Sequence, residues 1–271
     1  MTWKRTAAIY RIDPTFSLPY HLSASELAQC LHLEPYQASS LRRYLHSTER
    51  TPACYEKQDI HILTPFMKEY PQRLRHIYDP PWVLYAKGRI DLLHSEKSLA
   101  VVGTRKPTSY GLEALEELLP PVIEQGTCII SGLAAGTDTA AHKLTVRKKG
   151  AAAAVLGAGF AHIYPRENTA IFHQLSRCHL LLSEFPPDTP PRKWQFPMRN
   201  RIISGLSDAV FITEAASRSG SLITAYQALE QGRDVKVLPG SIFSPMSAGT
   251  NQLIKEGALP VTGAHDLLES G

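Results

Sequence analysis

The sequence predicts an α/β fold built on a doubly wound, mostly parallel sheet, preceded by a small all-helical unit. Three observations carry this. From residue 98 onward six short apolar runs recur, SLAVVG, TCIISG, AAAAVLG, HLLLSE, DAVFITE and DVKVLPG, each closed by Gly, Glu or Pro-Gly. Segments of helical composition separate them, at 109–125, 137–149, 167–177, about 198–206 and 219–231. The runs are nearly continuous rather than alternating, which is the pattern of strands buried on both faces. Strand, loop and helix recurring in this order make right-handed βαβ units.

In chain order, residues 1–55 read as the helical unit. Ser23 or Ser25 can N-cap the segment SELAQCLHL, and Glu34-Pro35 opens a second helix, where the missing proline N–H costs nothing. Leu27, Cys30 and Leu31 form one apolar stripe, and Tyr36, Leu41, Tyr44 and Leu45 another. The unit carries little net charge, which leaves its role open between touching DNA and docking to protein. Residues 56–97 mix the extended pieces DIHILT and WVLYAKG with turns, and Pro80-Pro81 bars a helix there. They are expected to be a connector with edge strands, so that residues 56–271 form one α/β domain.

A chain of 271 residues with 43% hydrophobic content can bury a sizeable core. Its 29 basic and 25 acidic side chains give a net charge of only +4, so a nucleic-acid partner must be argued from local clusters. The N-terminal sequence has no long apolar stretch of the signal-peptide kind, and no run of 18 apolar residues occurs, which predicts a cytoplasmic chain without membrane contact. Cys30, Cys54, Cys128 and Cys178 are far apart and suit reduced thiols. The eleven histidines show no HExxH spacing, and His173 and His179 read as packing or surface residues. No metal is expected.

In a doubly wound sheet the ligand crevice lies beyond the carboxyl ends of the strands. The loops that reach that edge are GTRKPTSYG (103–111), SGLAAGTD (131–138), GAGFAHIYPREN (157–168), EAASRSGSLITA (214–225) and PGSIFSPMSAGTN (239–251). Glycine-rich loops that open helices let backbone N–H groups approach phosphate oxygens. Between Thr139 and Arg166 there is no carboxylate, so the crevice should be electropositive. The segment 192–205, RKWQFPMRNRIISG, adds to it. Arg192, Lys193, Arg199 and Arg201 contribute +4 there, with Trp194 and Phe196 interleaved and no acid between Asp188 and Asp208. Cations hold phosphates, and flat rings stack on unpaired bases.

Catalytic readings are weaker. The 103–111 loop lacks the GK[ST] ending of a P-loop. Gly157-Ala-Gly159 is half of a dinucleotide fingerprint, with His162 at the third glycine position. Ser131 lacks the preceding glycine of a nucleophile elbow, since Ile129 stands there. Asp138 and His142 share a helix face, as a proton-transfer pair or as a helix cap and a packed ring. Glu214 and Glu184 end strands and would be the acids of a nucleotide-binding hydrolase that cleaves a ribosyl bond; the competing reading is that they order loops through hydrogen bonds.

Taken together, the ordered motifs resemble the DNA-processing protein A family (DprA, also called Smf). They are Tyr70-Pro71 with Asp79-Pro80-Pro81, VVGTRKPTSYG, SGLAAGTDTAAH, AVLGAGFAHIYPREN, LLSEFP, FPMRNRIISGLSD, EAASRSGSLITAYQAL, GRDVKVLPG and AGTNQLIKEGA, spread from about residue 55 to about 268. The resemblance implies an extended Rossmann fold with a sterile-alpha-motif-like N-terminal domain. It also implies that the chain protects incoming single-stranded DNA and helps load the RecA recombinase in natural transformation, without catalysis and without a cofactor. A homodimer is expected, with a single-strand-binding protein as a further candidate partner and the family's C-terminal winged-helix domain absent. By the same resemblance Gly103, Thr104, Arg105 and Ser109 would meet a phosphate. Lys193 and Phe196 match a Lys-x-x-Phe element that supplies charge and stacking. Arg199, Asn200 and Arg201 would continue the phosphate path, and Asn168, Ser219, Gly220 and Ser221 would line the crevice. Trp194 would add a second stacking ring or anchor the loop, and Ile242, Phe243 and Met246 are expected to contribute to self-association.

Overall fold

A computed structural model describes residues 3–47 and 52–269 of the chain. The chain divides into two compact units, Met1–Asp59 and Ile60–Gly271.

The first unit is helical, with α1 (Trp3–Ile12), α2 (Leu18–His21), α3 (Ala24–Leu31), α4 (Pro35–Leu45) and α5 (Pro52–Glu56). Ser23 is the N-cap of α3, and its capping box with Glu26 satisfies donors that the helix itself leaves unpaired. Ile9, Leu27, Leu31 and Ala38 form the core, with Leu41 packed against it. The expected stripes are therefore only half right. Cys30 is exposed, and Tyr36 and Tyr44 are 69% and 56% exposed. Ala38 takes the inward position on α4, where its small side chain lets α3 come close, while the tyrosines keep their hydroxyls in water.

The second unit is one nine-stranded sheet: β1 (His61–Leu63), β2 (Leu84–Gly88), β3 (Ser98–Val102), β4 (Cys128–Ser131), β5 (Ala152–Leu156), β6 (Leu180–Ser183), β7 (Ala209–Ile212), β8 (Asp234–Val237) and β9 (Leu259–Pro260). The spatial order is β1-β2-β6-β5-β4-β3-β7-β8-β9. From β6 to β9 all neighbours are parallel, and β1 and β2 run antiparallel at one end. All six expected runs are strands, and β3 to β7 are buried throughout. WVLYAKG is the exception to its expectation. β2 pairs on both sides, with Tyr85 opposite Ile62 and Ser183, because Leu84, Tyr85 and Ala86 are apolar enough for an interior strand.

Helices cover both faces. They are α6 (Gln72–Arg75), α7 (Ser109–Glu124), α8 (Thr137–Arg147), α9 (Thr169–Cys178), α10 (Gln195–Gly205), α11 (Gly220–Glu230), α12 (Ala248–Lys255) and α13 (Ala264–Leu268). Alternate strand residues divide between two cores. Leu99, Val101, Ile129 and Phe211 meet α7, α8 and α13, while Ala100, Val102, Ile130 and Val155 meet α6, α10, α11 and α12. The chain steps outward from β3 to β6, then crosses back to β7 on the other side of β3. That reversal is the topological switch point where open α/β sheets bind ligands. The returning crossover contains α10, so the basic-aromatic segment is carried over the sheet to the switch.

Candidate nucleic-acid interface

Two cavities open at the carboxyl edge of the sheet. The larger, about 510 Å³, is lined by Gly103 and Arg105 from the loop after β3, Lys193, Phe196 and Asn200 from the crossover, and Ser219, Gly220 and Ser221 at the start of α11. A smaller one of about 140 Å³ lies beside it among Leu133, Gly157, Tyr164 and Phe172, and shares Arg105 and Phe196 with the first.

Local sequence sets these positions. The 103–108 loop is fixed from below, where Thr137 N–H donates to the Thr104 carbonyl at 3.1 Å. Gly136 makes that approach feasible. It has φ +82°, and a Cβ there would stand 2.5 Å from the Thr104 oxygen. Glu214 fixes the loop from the β7 side, accepting from Thr108 N–H at 2.9 Å and from Thr108 Oγ1 at 2.7 Å. α10 begins at Gln195, earlier than the sequence suggested, because Pro197 falls in the first turn, where no N–H is needed. The buried Gln195 side chain accepts from Arg192 N–H, which ties down the Lys193 turn.

The Arg105 guanidinium lies 5.9 Å from the centre of the Phe196 ring, within cation–π range. Phe196 also meets Tyr164, in a tilted contact at a centroid distance of 5.4 Å. Gly157 gives the ring its seat, since a Cβ there would come within 2.7 Å of Phe196 Cδ1. Arg105 and Lys193 are exposed, and among the described residues neither has a carboxylate partner. Ser219 caps α11, so the positive end of that helix also faces the larger cavity. The site thus offers cations, a helix terminus and a ring. Tyr164 lines both cavities without a role expected from its motif, although an aromatic before proline in a glycine-rich loop is a signal for one.

Several expected contacts lie elsewhere. Arg199 is buried at the cavity floor, where Nη1 donates to the carbonyls of Gly132, at 2.6 Å, and Val155. Burial draws its basicity below the ordinary guanidinium value, against the pull of Asp138. Arg201 is on another side of α10. Its Nε donates to Asp79 at 2.8 Å and its Nη2 to Glu184 at 2.7 Å. Burial opposes that charge, but Glu184 and Asp79 outweigh it and hold the guanidinium above its ordinary value. Both arginines are therefore engaged with groups of the fold, and Arg199 also lines the larger cavity. Asn168 is also beneath the surface, donating to the Leu133 carbonyl at 2.9 Å and to Thr139 Oγ1 at 2.7 Å. Ser109 opens α7 outside both cavities, and the hydroxyl that caps the helix belongs to Thr108. Asn200 stays at the wall, accepting from Arg199 Nε at 3.2 Å.

The candidate acids are engaged too. Glu214 is 1% exposed and both its oxygens accept from Thr108, which fits the loop-ordering role. Glu184 is held by Arg201, while burial pushes its carboxyl up. Asp138 accepts from Gly132 N–H at 3.1 Å and Ala134 N–H at 3.3 Å, organising the β4 loop. His142 is fully buried with no hydrogen bond to Asp138, and burial lowers its pKa to about 3. The two make no proton-transfer pair. Trp194 is 56% exposed and meets Phe185 edge to face at 5.8 Å. Among the described residues no His, Cys, Asp or Glu cluster can hold a metal ion, and no helix is long and apolar enough to cross a membrane.

Comparison with known proteins gives a consistent result. The family model for DNA recombination-mediator protein A matches residues 61–270. The DNA processing protein DprA of Bacillus subtilis is 42% identical over 96% of this chain and 87% of its own length. The protein Smf of Escherichia coli is also 42% identical, over 92% of this chain and 67% of its own. The X-ray structure of DprA from Streptococcus pneumoniae superposes with a TM-score of 0.85 at 35% identity, covering 98% of this chain and 92% of that one. DprA from Helicobacter pylori, whose structure is described as showing a single-stranded DNA binding mode, superposes with a TM-score of 0.70 at 30% identity, over 77% of this chain and 94% of that one. With the motifs, the sheet order and these relatives in agreement, the chain belongs to the DNA recombination-mediator protein A family.

Proposed function

We propose that this chain binds single-stranded DNA across the larger cavity and acts without catalysis, protecting the strand and passing it to a RecA-type recombinase in natural transformation. The observation that carries the reading is the Arg105–Phe196 pair over an open cleft, with exposed Lys193 and the start of α11 beside it. Arg105, Lys193 and the α11 terminus serve phosphates, and Phe196 serves a base. Stacking on such a ring contributes about 1–3 kcal/mol per base irrespective of sequence. The described binding mode of the Helicobacter pylori relative supports the same partner. We place the chain in the cytoplasm as a homodimer, with the exposed Ile242 and Phe243 as candidate contacts between copies.

The test is a gel-shift titration with single- and double-stranded oligonucleotides, beside a nucleotide-hydrolysis assay on the wild type and Glu214→Gln. The single strand should shift first, with no turnover in either protein. Turnover that disappears in Glu214→Gln, without a DNA shift, would replace this reading with a hydrolase.

A further inference from the structure

The helical unit carries its own basic and aromatic surface. Arg42, Arg43, His46, Ser39 and Ser47 line a shallow depression on α4, closed by Ala24 at the start of α3. The half-exposed ring of Tyr20 stands edge-on to His46 at 6.4 Å, and Tyr44 on α4 is also more than half exposed. No carboxylate occurs between Glu34 and Glu49. Two other acids of the unit, Asp13 and Glu26, are committed to backbone donors. Asp13 accepts from Leu18 N–H at 2.6 Å and Thr15 N–H at 2.9 Å, and Glu26 from Ser23 N–H at 2.8 Å. Among the described residues Arg42 and Arg43 form no ion pair.

Two arginines near a helix C-terminus gain from the dipole, which accounts for cations at that end. It does not account for a depression with two hydroxyls and a neighbouring exposed ring. Cations beside aromatic rings are what single-stranded nucleic acid requires, and the shallow form suits a backbone rather than a small molecule.

We propose that this surface is a second contact for single-stranded nucleic acid, with Arg42 and Arg43 on phosphates and Tyr20 or Tyr44 against a base. The inference does not rest on the sheet-edge site. The full chain would be photocrosslinked to a 5-iodouracil-substituted oligo-dT, and the adducts mapped by mass spectrometry. Adducts on Tyr20 or Tyr44 are expected in the wild type and in Arg105→Ala/Lys193→Ala alike, and should vanish in Arg42→Glu/Arg43→Glu. That last variant should also lower the slope of log K against log salt by about 1.4, two phosphates at roughly 0.7 each. Adducts confined to residues 157–221, or an unchanged slope, would overturn the proposal while leaving the sheet-edge site standing. Absence of 157–221 adducts in the wild type, with those on Tyr20 or Tyr44 present, would count against that site and not this one. Suppression of Tyr20 or Tyr44 adduct formation by polyglutamate added before irradiation, as readily as by poly-dT, would assign the surface to acidic protein instead.

Discussion

The two ends of the basic-aromatic segment contrast sharply although each carries two cations. At its start Lys193 and Phe196 face an open cleft, with Arg105 across the ring. Further along α10, Arg199 and Arg201 are each 4% exposed and bonded to backbone carbonyls or carboxylates. Positive charge therefore does different work at the two ends of one segment. Unpartnered cations are free to meet a ligand, whereas engaged ones keep Gly132, Val155, Asp79 and Glu184 in place. What separates them is whether the surrounding strands present acceptors, and a count of charges along the chain does not contain that information.

The largest expected effect tests the buried end. Arg201→Ala leaves the buried Glu184 without its cation, and losing one partner of such a pair costs about 3–5 kcal/mol. Urea unfolding should show that loss. Normal stability with weakened DNA binding would mean that Arg201 meets the ligand after all, and the contrast would collapse. Phe196→Ala tests the open end. Oligo-dT affinity should fall by about 1–3 kcal/mol, with the salt slope unchanged because stacking releases no counterions.

A third prediction concerns pH. His142 is neutral when folded, its pKa drawn to about 3, whereas in the unfolded chain it protonates near 6.5. Below that unfolded value the unfolded state binds the extra proton, so this contribution to stability is present at neutral pH and falls as pH drops toward 3. The slope from one proton approaches about 1.4 kcal/mol per pH unit. His142→Leu should remove that component from stability measured between pH 6 and 4, and an identical pH dependence in both proteins would contradict it. Smallest is Trp194→Ala. The edge-to-face contact with Phe185 is worth about 0.5–1.5 kcal/mol of stability, and DNA affinity should be unchanged. A drop in affinity at constant stability would make Trp194 a stacking ring.

Much of this architecture was legible because burial on both faces writes itself into a strand. SLAVVG and DAVFITE admit few alternatives, and their recurrence gives the sheet and its binding edge. Spacing alone gave less for β2, since a strand of this length between prolines and a loop reads as an edge until its neighbours are known. At the site the loops and Phe196 could be anticipated. The long-range partners of Arg199, Arg201 and Asn168 could not, because those acceptors come from residues 17 to 122 positions away. Glu214 illustrates the same limit. A strand-terminal acid suggests catalysis, and only the position of Thr108 across the sheet reveals it as a loop fastener.

The most direct test of the central claim is the salt dependence of oligo-dT binding in wild type, Arg105→Ala and Lys193→Ala. A cation that neutralises one phosphate on a single strand contributes about 0.7 to the slope of log K against log salt. Each variant should lose roughly that amount while melting like the wild type. Wild-type slopes and affinities in both would contradict the assignment of this cleft to the phosphate backbone.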